Sequence, residues 1–376
     1  MKTLQIALYI LFLIFNKKKL IKSKYMKLYK AVTLITLVFI INSCGNKTNE
    51  NDSLFSLKIN NSKKIYILDD TINLSIENKK NRAIDSVSYS INDLYVGSSK
   101  KNTTSEVKLN NQKLGQRIIA AKIYSEGAVF ETNHKIKIVA AKKPILYTYT
   151  ILETYPHDIN AFTQGLEFKG DTLIESTGQY KTSTLRKTNY KTGEIYKKVD
   201  IGNQYFGEGL TFLNDKIYQL TWREKTGFIY DANTLEKKGT FVYGKSKEGW
   251  GLCNNGEKIY KSDGTQRIWQ LNSNTLAEED YIEIYTNTSK IDSVNELEWV
   301  EGKIYANIYQ KDAIAIVNPN TGAVEGVINL KGLKDKVTQH KSIDVLNGIA
   351  YKGEKNILYI TGKKWDKLFK IEISIK

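Results

Sequence analysis

A short unit recurs five times between Pro144 and the C-terminus, and it constrains the fold more than any other feature of the chain. Each copy has a small-residue step followed by an apolar residue, then roughly eight residues later an apolar pair that usually reads Ile-Tyr. The copies are Gly165-Leu166 with Leu173-Ile174, Gly209-Leu210 with Ile217-Tyr218, and Gly251-Leu252 with Ile259-Tyr260. A degenerate fourth is Leu297-Glu298 with Ile304-Tyr305, and the fifth is Gly348-Ile349 with Leu358-Tyr359. From Ile174 to Tyr218, Tyr260, Tyr305 and Tyr359 the steps are 44, 42, 45 and 54 residues. A period of this length, built from short alternating strands, suits one four-stranded propeller blade, which cannot bury both its faces alone. The class predicted is all-β, with a five-bladed β-propeller over residues 144–376.

Within the first unit the pattern predicts strands at Gln164–Lys169, Asp171–Gly178, Ser183–Lys191 and Glu194–Ile201. Turns at Gly170-Asp171 and Lys191-Thr192-Gly193 separate them. In an antiparallel hairpin the start of the first strand and the end of the second lie at the same edge. These positions from all five units therefore converge on one face. The first-strand starts carry Phe162, Gln164, Phe206, Glu208, Trp250, Asn295, Glu296 and Asn347, and the second-strand ends carry Trp222, Asp263, Asn307, Tyr309 and Lys363. A purely structural repeat would place like residues at like positions. Here each unit supplies something different: aromatic walls, carboxylates, amides and a lysine, the makeup of a small-ligand site. Singly these residues have plainer readings. A glutamate in a Gly-Glu-Gly turn is ordinarily solvated, and Trp222 and Trp250 could equally pack between blades. Trp269, Trp299 and Trp365 are read as packing.

Composition narrows the class of partner. The 24 tyrosines and 3 prolines suit antiparallel sheet and leave little room for helix. The net charge of +16 could suggest nucleic acid. However, the lysines are scattered singly or in pairs over strands and turns, with no basic helix and no RNA-binding aromatic signature. A solvated basic surface is the better reading, and no nucleic-acid partner is expected. His134, His157 and His340 are far apart in sequence, and no cysteine cluster or metal-type histidine spacing accompanies them. No metal and no cofactor are expected. Cys253 has no histidine near it in sequence and reads as a small buried hydrophobe.

Met26 to Cys44 reads as an export signal. Lys27 and Lys30 form the positive region, Ala31 to Ile41 the apolar core, and Ile41-Asn42-Ser43-Cys44 resembles a lipoprotein processing site. Cys44 would be lipidated and become the new N-terminus. Upstream, Gln5 to Phe15 is too short to span a bilayer comfortably, which fits translation starting at Met26. Residues 1–44 are thus expected to be the export signal and 45–53 a polar tether. The protein is expected to be exported, held to a bacterial cell-envelope membrane by its lipid anchor, and monomeric. Residues 54–143 lack the repeat. Alternating stretches at Lys64–Leu68, Ile72–Ile76, Ser86–Ile91, Glu106–Leu109, Arg117–Tyr124 and Lys135–Val139 predict an immunoglobulin-like β-sandwich without its disulfide. Lys142-Lys143-Pro144 marks the boundary.

The block Tyr155-Pro156-His157-Asp158-Ile159-Asn160-Ala161-Phe162-Thr163-Gln164-Gly165-Leu166 resembles the opening motif of the plant-type glutaminyl-peptide cyclotransferases, a family also found in bacteria. The resemblance continues through Tyr205-Phe206-Gly207-Glu208-Gly209-Leu210, Leu220-Thr221-Trp222, Gly249-Trp250-Gly251-Leu252 and Ser262-Asp263-Gly264. Val294-Asn295-Glu296-Leu297-Glu298-Trp299, Leu346-Asn347-Gly348-Ile349-Ala350-Tyr351 and Thr361-Gly362-Lys363-Lys364-Trp365 complete it. It covers residues 147–376 and none of the preceding domain. Any one block is weak, whereas the ordered set is specific.

The resemblance implies a five-bladed propeller that cyclises the N-terminal glutamine of peptides and proteins, without a cofactor. It implies Glu208 as the acid/base, with Phe162, Gln164, Phe206, Trp222, Trp250, Asn295 and Lys363 completing the site. Lys363 is preferred over Lys364 on the motif match, since alternation sends the two to opposite faces. The chain departs from the family pattern at Tyr309, where tryptophan is expected. It also has Lys311, Ala313 and Asp366 where threonine, arginine and proline are common. Tyr309 keeps an aromatic wall but adds a hydroxyl, which bears on substrate preference more than on the reaction. Asn295 and Lys363 would donate to the amide oxygen as charge develops there. The alternative is a non-catalytic propeller lipoprotein that binds peptides or glycans, and Glu208 separates the two, because a binding protein needs no buried acid/base.

Overall fold

Period-two patterning becomes strand almost throughout residues 54–376, the residues that the computed structural model describes. The export signal, Cys44 and the tether to residue 53 lie outside the described residues. Leu57–Glu77 with Arg82–Lys376 make one compact unit; of the second, Leu54–Ser56 and Asn78–Asn81 are described. The class is all-β, with a short 3-10 turn at Lys334–Lys336.

The first seven strands are β1 (Phe55–Ile59), β2 (Thr71–Asn78), β3 (Ser86–Ile91), β4 (Leu94–Lys100), β5 (Ser105–Lys108), β6 (Gly115–Ser125) and β7 (Ala128–Ile138). They form a three-stranded sheet, β1-β2-β5, and a four-stranded sheet, β4-β3-β6-β7. Every second residue is buried in β2 (Ile72, Leu74, Ile76), β3 (Val87, Tyr89, Ile91) and β6 (Ile119, Ala121, Ile123), as strands with one covered face require. Three details differ from the sequence reading, the first being β1, which none of the alternating stretches covers. Lys64–Leu68 is not a strand, because Tyr66 alone bridges to Ile138 before Asp70 closes a turn onto Ile67. β4 was not anticipated; it lies at an edge with Leu94 and Tyr95 exposed, so its alternation carries no burial signal.

A long strand, β8 (Ile145–Pro156), then precedes five antiparallel groups. The first is β9 (Thr163–Lys169), β10 (Thr172–Thr177), β11 (Thr184–Asn189) and β12 (Ile195–Asp200). The second is β13 (Gly207–Leu213), β14 (Lys216–Thr221), β15 (Thr226–Asp231) and β16 (Lys237–Val242). The third is β17 (Leu252–Asn254), β18 (Lys258–Ser262), β19 (Arg267–Asn272) and β20 (Glu278–Glu283), and the fourth β21 (Val294–Val300), β22 (Lys303–Ile308), β23 (Ala313–Val317) and β24 (Val324–Asn329). The last is β25 (Leu346–Ala350), β26 (Ile357–Gly362) and β27 (Lys367–Ile375), with β8 as its fourth strand. β8 runs antiparallel to β27 and parallel to β24, so the fourth and fifth groups join in one eight-stranded sheet.

The first strands meet in a closed ring: β9 touches β13, β13 touches β17, β17 touches β21, β21 touches β25, and β25 touches β9. This ring explains the small-residue step of the repeat. A Cβ on Gly209 would lie 2.5 Å from Gly251 Cα and 2.6 Å from Leu252 N, and one on Gly165 would lie 2.5 Å from Leu210 N. These are backbone atoms that cannot move aside. The fourth copy is read one residue too late in the sequence. Leu297 pairs with Ala306 as Leu210 pairs with Gln219, so Glu296 holds the glycine position. Its Oε2 accepts Ile349 N at 3.0 Å, joining β21 to β25. Apolar faces of neighbouring groups fill the spaces between sheets, for example Ile174 and Leu185 with Leu210, Ile217 and Phe228. Cys253 is buried in the equivalent layer against Tyr260 and Leu297.

Candidate active site

The first strands begin irregularly, and that irregularity builds a pocket. Pairing shifts register between Gly207 and Leu210, between Val294 and Leu297, and between Leu346 and Ile349. Bulges of this kind re-aim side chains at strand ends. Glu208, Asn295 and Asn347 lie in these shifts, at equivalent positions of their strands.

A cavity of about 290 Å³ opens there, lined by Phe162, Gln164, Phe206, Glu208, Trp222, Trp250, Asn295, Tyr309 and Lys363. Nine of the thirteen edge positions read from the sequence are thus brought together, while Asp263, Glu296, Asn307 and Asn347 do not line the cavity. Larger cavities of about 550 Å³ beside Leu114, Val139 and Val324, and about 470 Å³ beside Arg117 and Arg267, gather no comparable set. Lys364 adopts a left-handed turn conformation and does not line the pocket, which separates it from Lys363.

The wall is a chain of aromatic contacts. Phe162 meets Phe206 edge to face at 6.0 Å, Phe206 meets Trp222 at 5.5 Å, and Trp250 meets Tyr309 edge to face at 5.7 Å. Lys363 Nζ closes the gap, 4.7 Å from the Phe162 ring centre and 5.4 Å from that of Tyr309. Trp250 can lie where it does because residue 264 is glycine; a Cβ there would stand 2.5 Å from the indole.

Within this apolar ring sit polar atoms without protein partners. Glu208 is 4% exposed, and its Oε2 accepts no hydrogen bond. Asn295 Oδ1 is likewise buried and unpartnered. Buried polar atoms are normally paired, so two orphans in one cavity point to a ligand that pairs them. Burial pushes the Glu208 carboxyl well above its usual 4.5; Lys363 acts against this, and the Glu248 and Glu224 carboxylates reinforce it. Burial lowers the Lys363 ammonium, opposed by Glu208 and Asp344. The site therefore holds an acid and a base drawn toward each other's range, a pattern common at catalytic centres.

Other residues at the same edges stand behind the pocket. Asp263 accepts Trp269 Nε1 at 2.7 Å, and Asn307 Oδ1 accepts Gly348 N at 3.0 Å. Asn347 Nδ2 donates to Thr163 O at 2.9 Å and to Gln164 Oε1 at 3.2 Å, which fixes the Gln164 amide. His157 Nδ1 lies 2.8 Å from Trp365 O and Nε2 3.2 Å from Glu175 Oε1. Glu175 also takes two bonds from Arg186, which reaches Asp158 as well. Burial works against the Glu175 charge, but Arg186 and His157 hold the carboxyl below its usual range. This network fixes the segment leading to Phe162. Among the described residues no three His, Cys, Asp or Glu side chains are grouped as a metal site would require.

Sequence reasoning missed Glu248, whose carboxylate takes both wall indoles, and the pair Tyr180 and Glu224 at the mouth, where the Tyr180 hydroxyl donates to Glu224 Oε1 at 2.9 Å. The only sequence signal at Glu248 is its place two residues before Trp250.

Residues 119–373 match the glutamine cyclotransferase family. The match starts inside β6, upstream of residue 147, where the recognisable motifs begin. A glutaminyl-peptide cyclotransferase of Arabidopsis thaliana is 38% identical over 254 residues, 66% of this chain and 75% of that protein. The crystal structure of Myxococcus xanthus glutaminyl cyclase superposes with a TM-score of 0.58 at 32% identity, covering 62% of this chain and all of that one.

Proposed function

The chain belongs to the glutamine cyclotransferase family, and on that premise we propose how its pocket turns the N-terminal glutamine of peptides and proteins into pyroglutamate. The observation that carries the assignment of roles is Glu208, buried with an unpartnered oxygen, facing Lys363 inside an aromatic wall. The substrate's α-nitrogen attacks the carbonyl carbon of its own side-chain amide. A C–N bond forms, the five-membered lactam closes, the bond to the amide nitrogen breaks, and ammonia leaves. Both reactants belong to one residue, so the pocket need only hold the folded-back rotamer, an orientation effect worth several kcal/mol.

The proton is the harder part. Glu208 accepts it from the α-nitrogen and returns it to the departing nitrogen. An α-ammonium has a reference pKa of about 7.7–8.0, and a carboxyl raised by burial is a better-matched acceptor than one near 4.5. Lys363 donates to the amide oxygen as negative charge develops there, and the Asn295 amide group can do the same. Asn295 Oδ1 is an acceptor for an N–H of the bound glutamine, and the Asn347 bond leaves the Gln164 NH₂ as the end available to the ligand. Phe162, Phe206, Trp222, Trp250 and Tyr309 pack the methylenes and exclude water.

The strand groups are read as the blades of a five-bladed propeller, which the closed ring of first strands supports. The two N-terminal sheets are read as an immunoglobulin-like sandwich, supported by their alternating burial. Export, lipidation at Cys44 and anchoring in a bacterial envelope membrane are proposed on the sequence from Met26 to Cys44. A monomer is proposed with them.

Incubated with a short glutamine-headed peptide, the protein is expected to release one ammonia per peptide, with the peptide mass falling to match. EDTA should leave the rate unchanged. A folded protein that releases none would instead favour a binding role for the pocket. Trp222→Ala is expected to raise KM on the order of tenfold with a smaller effect on kcat, because it removes packing shared by ground and transition states. Steady-state kinetics on the same peptide separate the two terms.

A further inference from the structure

Glu248 does not line the pocket, yet it touches two residues that do. Its Oε2 accepts the indole N–H of Trp222 at 2.8 Å and that of Trp250 at 2.9 Å. Its Oε1 accepts Arg223 Nε at 3.2 Å, and the Arg223 guanidinium lies 3.6 Å from the Trp222 ring centre. Trp222 follows β14 in the second strand group and Trp250 precedes β17 in the third. A single carboxylate oxygen therefore joins walls supplied by separate sheets.

The glutamate is itself held from beneath. Lys261, fully buried at the end of β18, donates to Glu248 O at 2.9 Å and to Ser246 Oγ at 2.5 Å. It also pairs with Glu278 at 3.3 Å, whose carboxylate accepts Lys245 N and Ser246 N at 2.7 and 2.9 Å. An ion pair this deeply buried and this fully hydrogen-bonded fixes backbone geometry more than it adds stability. Residues 245–248 thus form a rigid bracket carrying the carboxylate to both rings.

We propose that Glu248 is a positioning residue for cyclisation, clamping Trp222 and Trp250 so that the pocket presents ring surface to the substrate and no indole N–H. The proposal rests on the cyclase reading of the pocket. With both N–H groups taken, the two indole walls cannot donate to the substrate amide, and Lys363 stays the charged donor for its oxygen. A flexible wall would widen the cavity and admit other rotamers of the glutamine side chain. A second consequence is electrostatic. Glu208 is faced by Lys363, by the Glu248 and Glu224 carboxylates, and by the Tyr180 and Tyr243 hydroxyls. Removing the Glu248 charge leaves one fewer anion against ionised Glu208.

The test compares Glu248→Ala, Glu248→Gln and Trp222→Phe in the full chain. Near-ultraviolet circular dichroism without substrate reads the indole environments, and steady-state kinetics over pH read the rest. Glu248→Ala should alter the indole bands and raise KM on the order of tenfold, with kcat changing less. Glu248→Gln keeps an acceptor oxygen, so it should hold KM within about threefold. Its acid limb should move to lower pH, since the carboxylate that raised Glu208 is gone. Trp222→Phe combined with Glu248→Ala should add little to Glu248→Ala alone, because both break the same bond. Parent-like indole bands and KM in Glu248→Ala would overturn the clamp, as would full additivity of the pair. If Glu248→Ala does not fold, Glu248→Gln and Trp222→Phe decide the matter: a parent-like acid limb in Glu248→Gln together with a parent-like KM in Trp222→Phe, which deletes one clamped N–H, would overturn it. The dichroism needs no turnover, so a parent protein that releases no ammonia sinks the cyclase reading and leaves the clamp independently tested.

Discussion

Glu208→Gln is expected to lower kcat for cyclisation by roughly 10²–10⁴-fold while the protein stays folded. Glutamine has the shape of glutamate but cannot take a proton from an amine and hand it on. The folded state tolerates the exchange because no protein group hydrogen-bonds Glu208 Oε2, so no bond from it is lost. What survives is the orientation effect, which needs no proton carrier, and a slow residual rate should remain. The pH dependence gives a second check. In the parent, Glu208 must be ionised to accept the proton, so kcat falls on the acid side of its raised pKa. In Glu208→Gln that limb should vanish, leaving a slow rate without the Glu208 ionisation. Ammonia release followed across pH, with thermal melting on the same samples, separates lost chemistry from lost fold. A variant that turned over at the parent rate would move the proton transfer to another group.

Much of this site is legible in the sequence, and the reason is geometric. Hairpin topology alone sends the first-strand starts and second-strand ends to one edge, so Phe162, Glu208, Trp222 and Lys363 could be grouped although they are up to 201 positions apart. The same reasoning put Asp263 and Asn347 in the pocket, and there it went too far. Topology places a backbone position; the rotamer and the neighbours decide whether the side chain faces the ligand or braces a partner, as Asp263 braces Trp269. Glu248 was invisible for the opposite reason. It lies in an irregular segment between two strand groups, where neither period nor edge position says where a side chain points. Glu296 hid because it is not small: it stands eight residues before Ile304, as Gly209 stands before Ile217, but a glutamate does not announce a position that glycine holds in the other copies. In the N-terminal sheets, Lys64–Leu68 carried strand-like alternation without becoming a strand, because Asp70 captured the backbone of Ile67. Alternation shows what a segment could bury and is blind to a local turn that competes for the same amides.

The glycine step that opened the sequence argument makes the sharpest claim about stability. Gly209→Ala should destabilise the protein by about 3 kcal/mol or more, although it adds a single methyl group. The added Cβ would stand 2.5 Å from Gly251 Cα, 2.6 Å from Leu252 N and 2.7 Å from Trp250 O. None of these belongs to a side chain that could rotate away, and Gly209 N is itself bonded to Trp250 O across the ring. Relief requires β13 and β17 to separate, and because the ring closes on itself, separation at one seam strains the others. Gly239→Ala is the matched control. It lies in the outer strand β16, its nearest neighbour to a new Cβ is Ile229 Cδ1 at 3.8 Å, and its backbone is not left-handed. There the change should be neutral or stabilising by about 0.5 kcal/mol, as glycine in a strand interior is replaced. Chemical denaturation of both variants beside the parent gives the comparison. If Gly209→Ala melts with the parent, the first strands are not packed backbone to backbone, and the repeat's small residue owes its place to something other than ring closure.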